Sequence, residues 1–242
     1  MKSLLETILS RKLYDPKVVI YDWLEKYGIK NYTVNDKEEI DVYGDVYLGE
    51  KGLKEFPSFI QFGTVKGSFF CDSNKLTSLR GAPREVRGSF FCNECGLTSL
   101  EGSPREVGGG FYCDHNDLKD LKGSPEKTGG DFNCFSNNLT SLEGAPKVVG
   151  GDFSCFNNKL TSLEGAPSVV KGCFNCNNNT LTTLEGAPEK VGADFFCDNN
   201  KLTSLEGSPR EVGENFYCSL NSTQFTENDV RKVCRVRMRI IV

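Results

Sequence analysis

Residues 151–171 read GDFSCFNNKLTSLEGAPSVVK, and near-copies of this 21-residue unit fill most of the 242-residue chain. Eight cysteines recur at intervals of 21 residues, and a Phe stands two positions before each of them. These cysteines are Cys71, Cys92, Cys113, Cys134, Cys155, Cys176, Cys197 and Cys218. A fixed period of about 20 to 25 residues is typical of a solenoid in which each repeat forms one coil.

The first part of each unit predicts a short strand. Phe and Cys alternate with variable residues, so both side chains point to the same side of a strand, which we expect to be the interior. Stacked coils then place these strands side by side in one parallel sheet, about 4.8 Å apart. The two Leu of each Leu-Thr-Ser-Leu segment are expected to point inward from the next turn, and the Gly-Ala-Pro and Val-Gly segments to bend the chain back.

An Asn three positions after most of these cysteines predicts a ladder of buried amides. The ladder residues are Asn74, Asn116, Asn137, Asn158, Asn179, Asn200 and Asn221, and Cys95 takes the place of Asn in one coil. An amide inside a coil can satisfy backbone groups of its own and adjacent coils, which would otherwise lack hydrogen-bond partners.

The unit resembles a short leucine-rich repeat. It is most similar to the leucine-rich repeat proteins of large tailed bacteriophages, which share the pattern F-x-C-x-x-N-x-L-T-S-L-E-G-A-P-x-x-V-G-G. The similarity extends to Asn31–Asn35 and Ile40–Val42 near the start and to Phe225–Arg231 near the end. It implies a right-handed coil, a protein made in the host cytoplasm, and no particular activity. The Val before the Gly pair departs from the usual Leu, so the turn into the strand is expected to be unusual.

The two ends differ from the middle, as solenoid ends must. We expect an N-terminal helical cap over 1–43, with one helix on Leu4 to Leu9 and another that starts at Asp15-Pro16 and stops at Gly28. The solenoid spans 44–225 and begins with a degenerate coil, 23 residues ahead of the next. In the C-terminal cap over 226–242, Thr226 begins a short helix, and the alternation of apolar residues with Arg235, Arg237 and Arg239 predicts a closing strand.

The composition argues against a membrane protein, a metal-binding protein and an enzyme. The formal net charge is −4, only one His is present, and no apolar run approaches the about 20 residues that a membrane span needs. The Cys92–Cys95 and Cys173–Cys176 pairs lie four coils apart, about 19 Å at the strand spacing, which is too far for one zinc ion. We therefore expect free buried thiols in a reducing compartment, no metal or cofactor, and no catalytic residues.

The variable positions of the strand point outward and are the candidate partner surface. They contain the aromatic residues Phe70, Phe91, Tyr112, Phe135, Phe156, Phe196 and Tyr217, and just before Phe the acidic residues Asp131, Asp152 and Asp194. The pattern allows two interpretations. In one, the rings form a surface that binds a protein partner; in the other, they only stack on one another along the sheet.

The charge of that surface disfavours nucleic acid, since phosphate binding needs Lys and Arg, which these positions lack. The sequence therefore predicts a non-enzymatic module that binds proteins, and the resemblance implies a phage protein that binds and modulates a host protein, such as a component of antiviral defence. The alternatives are a structural or adhesive part of the virion, and a sponge for a signalling nucleotide held by the strip of Arg235, Arg237 and Arg239. The oligomeric state is left open.

Overall fold

The computed structural model describes residues 16–242 and shows a parallel β-solenoid whose coils repeat every 21 residues through the middle of the chain. Helix α1 spans Pro16–Lys26 and helix α2 spans Glu227–Val233. The predicted helix on Leu4 to Leu9 lies outside the described residues. None of the helices within 16–242 is long and apolar enough to cross a membrane.

Two sheets, rather than the expected one, line the solenoid. The first, here called the Phe sheet, has ten parallel strands. They are β3 (Val46–Tyr47), β5 (Phe69–Phe70), β7 (Phe90–Phe91), β9 (Phe111–Tyr112), β11 (Phe132–Asn133), β13 (Phe153–Ser154), β15 (Phe174–Asn175), β17 (Phe195–Phe196), β19 (Phe216–Tyr217) and β21 (Ile240–Ile241).

The second, here called the Val sheet, has eleven strands and is parallel except for its first pair. They are β1 (Tyr32–Val34), β2 (Glu39–Val42), β4 (Gln61–Val65), β6 (Glu85–Val86), β8 (Glu106–Val107), β10 (Lys127–Thr128), β12 (Val148–Val149), β14 (Val169–Val170), β16 (Lys190–Val191), β18 (Glu211–Val212) and β20 (Arg235–Val236).

The segment before each Gly pair therefore forms a strand, where the sequence predicted only a turn. Its second residue, such as Val149 or Val191, is fully buried, while the residue before it faces outward. β-branched side chains pack well on such a surface, and the stacking of coils supplies a neighbouring strand on each side. Two residues in each coil are enough to build the sheet because the same segment recurs at every level.

The core lies between the two sheets and follows the predicted columns. The eight Phe residues that stand two positions before the periodic cysteines are fully buried. Their rings stack on one another from Phe69 to Phe216, with successive centroids 5.1–5.6 Å apart. The eight periodic cysteines and the two Leu of each Leu-Thr-Ser-Leu segment are likewise buried. The predicted 23-residue step is confirmed, since Val46 pairs with Phe69, and Val46 and Leu48 of that first coil are buried.

The predicted amide ladder is confirmed, and its bonds cross from coil to coil. Asn137 is typical. Its Nδ2 donates to the carbonyl oxygens of Cys134 in its own coil (3.1 Å) and Cys113 in the preceding coil (3.0 Å), and its Oδ1 accepts from the backbone N–H of Leu118 (3.1 Å). Each amide therefore connects two adjacent coils.

The ends are closed differently. At the N-terminal end, α1 buries Ile20, Trp23 and Leu24, and β1 pairs antiparallel with β2. At the other end, Thr226 caps α2 as predicted, in a reciprocal capping box with Asp229. The predicted single closing strand is wrong, because the chain bends between Val236 and Ile240. Its two halves, β20 and β21, join the Val sheet and the Phe sheet separately.

Candidate functional site

The candidate surface is the outer face of the Phe sheet between β3 and β19, here called the Phe-sheet face. Three columns of residues form it, and they lie just before Phe, just after Phe and just after Cys in each coil. Because the strands are parallel and in register, equivalent residues lie next to each other along the sheet, as Phe70 does with Phe91 and Phe91 with Tyr112.

The predicted aromatic residues divide into three separate stacks, and all seven are half-buried. Tyr47, Phe70, Phe91 and Tyr112 form a ladder of four nearly parallel rings, with successive centroids 5.0, 4.6 and 4.5 Å apart. This set is called the ring ladder below. The other two stacks are pairs. Phe135 and Phe156 are 4.4 Å apart, and Phe196 and Tyr217 are 4.5 Å apart.

Tyr47 also belongs to this surface, although it was not among the predicted residues. It lies on β3 of the degenerate coil, where Val46 takes the place of Phe, and 61% of its surface is exposed. The signal was the alignment of Gly44-Asp45-Val46-Tyr47 with the Gly-x-Phe-x of later coils. Its hydroxyl donates to Asp45 Oδ2 at 2.9 Å, which raises the pKa of Tyr47.

Small residues beneath the ring ladder allow the rings to lie over the sheet. In the coils of Phe70, Phe91 and Tyr112, the column just before Phe holds Ser68, Ser89 and Gly110. A Cβ at Gly110 would lie 2.7 Å from the Tyr112 ring and hydroxyl, so a larger residue there would have to displace the ring. Burial raises the pKa of Tyr112, and nearby Asp131 raises it further.

The three predicted acidic residues of the face have a structural role that the sequence did not reveal. One carboxylate oxygen of each accepts the backbone N–H of the next coil. The donors are Asp152 for Asp131 (2.9 Å), Cys173 for Asp152 (2.7 Å) and Asn215 for Asp194 (2.8 Å). Ser68 Oγ accepts the N–H of Ser89 in the same way, so a neutral side chain can supply the same acceptor.

The Phe-sheet face concentrates negative charge. From β3 to β19 the three columns hold seven Asp and no Lys or Arg. The seven are Asp45, Asp72, Asp114, Asp131, Asp152, Asp194 and Asp198. Since the whole chain carries −4, the remaining residues together carry +3.

The one His of the chain lies at the edge of this face. His115 Nδ1 is 3.0 Å from Asp114 Oδ2, and its ring meets Phe135 edge to face at 5.2 Å. The eleven cysteines are free, and burial raises the pKa of each thiol, so the thiols are held in the poorly nucleophilic protonated form. Within residues 16–242, no group of three or more His, Cys, Asp and Glu side chains could hold a metal ion.

The predicted basic strip at the C-terminal end does not form one row. Arg235 and Arg237 flank Val236 on the Val sheet, whereas Arg239 precedes β21 on the Phe sheet. Arg237 is paired with Glu211 at 2.6 Å, and Lys190 pairs with the same carboxylate at 3.1 Å, which together lower the pKa of Glu211. The three guanidinium groups therefore do not converge on one pocket.

The outer face of the Val sheet carries a shallow trough of a different character. Its floor is the backbone of Gly108, Gly129 and Gly150, and Arg87 and Lys171 lie at its ends. Charges of both signs line it, and the aliphatic Val148 is exposed there; Val169, in the next coil of the same face, is exposed outside the trough. This face has neither the stacked rings nor the single charge sign of the Phe-sheet face.

Comparison with known proteins finds no matching family model, no matching curated protein and no matching solved structure.

Proposed function

We propose that the protein is a non-enzymatic interaction module, and that the Phe-sheet face binds another protein. The column just after Phe in each coil supports this proposal most directly. Asn133, Ser154 and Asn175 occupy the column just after Phe in three consecutive coils, and the sheet continues through them without interruption. Folding therefore does not require the rings of Phe70, Phe91 and Tyr112 at the same position.

The stacking of these rings supports binding as well as stability. Rings already held parallel by their neighbours lose little side-chain entropy when a partner covers them. Tyr and Phe are enriched in the cores of protein interfaces, and Tyr is among the residues that dominate their energy. The ring ladder therefore suits a partner that buries apolar side chains against it.

The negative charge of the face narrows the partner's chemistry. Seven carboxylates in columns that hold no Lys or Arg would repel nucleic acid and would also repel a second copy of the same face. A basic or mixed protein surface would be attracted instead. The resemblance of the repeat to bacteriophage leucine-rich repeat proteins further leads us to propose a host protein as the partner, bound and modulated in the host cytoplasm.

A three-residue variant tests the face. Replacing Phe91, Tyr112 and Phe196 with Ser, the residue at position 154 of the same column, should abolish capture of the partner from infected cells. The matched control replaces the exposed Val148 and Val169 of the Val sheet with Ser and should leave capture unchanged. Thermal unfolding of each variant monitors the fold. Unchanged partners for the three-residue variant would reject the face.

The virion alternative has a separate test. Mass spectrometry of purified particles should not detect the protein if it acts on a host protein, whereas a structural component would be present in many copies.

A further inference from the structure

The Phe sheet has an edge strand at each end. In the strand order, β3 is the first strand and β21 the last, so each pairs with one neighbour among the described residues. The Val sheet differs, because β1 already covers the outer side of β2. An edge strand presents backbone groups that can pair with another chain.

We infer that β21 of one copy adds in parallel to β3 of a second copy, which gives a head-to-tail contact. The registers of the existing pairs define how the two strands would meet. Since β21 continues the columns of β19 and β3 starts them, Ile240 of one copy would lie beside Val46 of the other, and Ile241 beside Tyr47. Apolar side chains then meet apolar side chains in both columns.

Tyr47 contributes an open ring face. It stacks on Phe70 on one side only, and the ring is the most exposed of the ring ladder. Ile241 occupies the same column at the other end of the solenoid, where it follows Tyr217. Head-to-tail addition would place Ile241 over the uncovered face of Tyr47 and extend the ring ladder by one apolar layer.

A charge pair falls in register beside these contacts. Arg239 lies in the column just before Phe, next to Asn215, whose Oδ1 accepts its backbone N–H at 3.2 Å. Asp45 holds the same position in the first coil. Within the described residues neither side chain has an ion-pair partner, and the inferred pairing places them side by side at the strand spacing of about 4.8 Å.

The surrounding charges agree with this pairing. Residues 31–50 hold six acidic residues and one Lys, whereas residues 227–242 hold five basic residues and two acidic ones. Opposite charges on the two ends favour head-to-tail over head-to-head or tail-to-tail association. The contact is confined to the Phe sheet, because β1 occupies the place that β20 of the second copy would need. Two copies therefore meet at an angle.

Sedimentation velocity of the full chain at low salt tests the inference. The mean mass should rise with protein concentration and fall again as salt screens the charges. Arg239→Glu and Asp45→Lys should each weaken association by about tenfold or more, since each places like charges next to each other. An equimolar mixture of the two variants should associate again, because the glutamate introduced by the first change then faces the lysine introduced by the second.

The matched control is Arg235→Glu, which makes the same change of charge on β20 of the Val sheet, outside the inferred contact. It should leave association within about twofold of the unmodified chain. A chain that stays monomeric at every concentration would overturn the inference. So would a mixture that fails to associate while both variants melt normally, or an Arg235→Glu variant as weak as Arg239→Glu.

Discussion

Removing two adjacent amides of the ladder should destabilise the solenoid by more than the sum of the two single changes. The carbonyl oxygen of Cys113 accepts from both Asn116 Nδ2 and Asn137 Nδ2, each at 3.0 Å. When only one of the two amides is removed, the other still donates to that buried oxygen. In the double variant Asn116→Ala and Asn137→Ala the oxygen loses both donors.

The magnitudes follow from counting the groups left without partners. Asn137→Ala alone orphans the Leu118 N–H, at about 1–3 kcal/mol, and removes one of two donors from each of two carbonyls, at about 0.5 kcal/mol each. The single variant should therefore lose about 2–4 kcal/mol. In the adjacent pair the stranded Cys113 carbonyl costs about 1–3 kcal/mol, of which the two single variants already account for about 1 kcal/mol. The coupling energy should therefore be about 1 kcal/mol and at most about 2 kcal/mol.

Urea unfolding followed by circular dichroism measures these losses, and the spaced pair Asn116→Ala and Asn158→Ala is the control. These two amides share no carbonyl, since Asn158 donates to Cys134 and Cys155. The spaced pair should be additive within about 0.5 kcal/mol. Additivity of the adjacent pair to the same margin would refute the shared-acceptor reasoning.

Three further predictions concern single coils and pH. Cys95→Asn should stabilise the protein by about 1 kcal/mol in the same urea assay, because an amide replaces a thiol whose bond to the Cys71 carbonyl is weak; a loss of stability would mean that the site cannot accept the amide. Leu220→Asn should raise the thermal midpoint, because Leu220 is 79% exposed at φ 56°, a left-handed conformation that Asn adopts more easily; an unchanged or lower midpoint would contradict this. The free energy of unfolding should fall as pH rises above about 9. Thiols of the unfolded chain lose their protons in that range, whereas burial keeps the folded thiols protonated and raises the pKa of Cys218 to about 12. Each fully buried thiol should add about 1.4 kcal/mol per pH unit to that fall, and urea midpoints equal at pH 8 and pH 10 would contradict it.

The sequence was sufficient for the features that repeat in every coil. The 21-residue spacing predicted the coil, the alternation around Phe153 and Cys155 predicted which side chains are inside, and the recurring Asn predicted the amide ladder. Each of these depends on one residue type at one position, so eight copies reinforce the same signal.

Some features that depend on the neighbouring coil were not predicted. The strands of the Val sheet are two residues long, too short for an alternation to be recognised, and they exist because adjacent coils stack. The backbone acceptor role of Asp131 and Asp152 likewise appears only when the N–H of the next coil is in place. The closing strand was wrong because an alternation that continued past Met238 hid the bend that returns the chain to the Phe sheet.

The uniform coil-to-coil bonding also has a mechanical consequence. Every internal coil of the regular repeat is fastened to its neighbours by the same short ladders, so a load applied along the axis would meet nearly equal resistance at each step. When the solenoid is stretched from its two ends, it should unfold one coil at a time. Each step would release 21 residues, or about 70 Å of extended chain, and give a regular sawtooth of force against length.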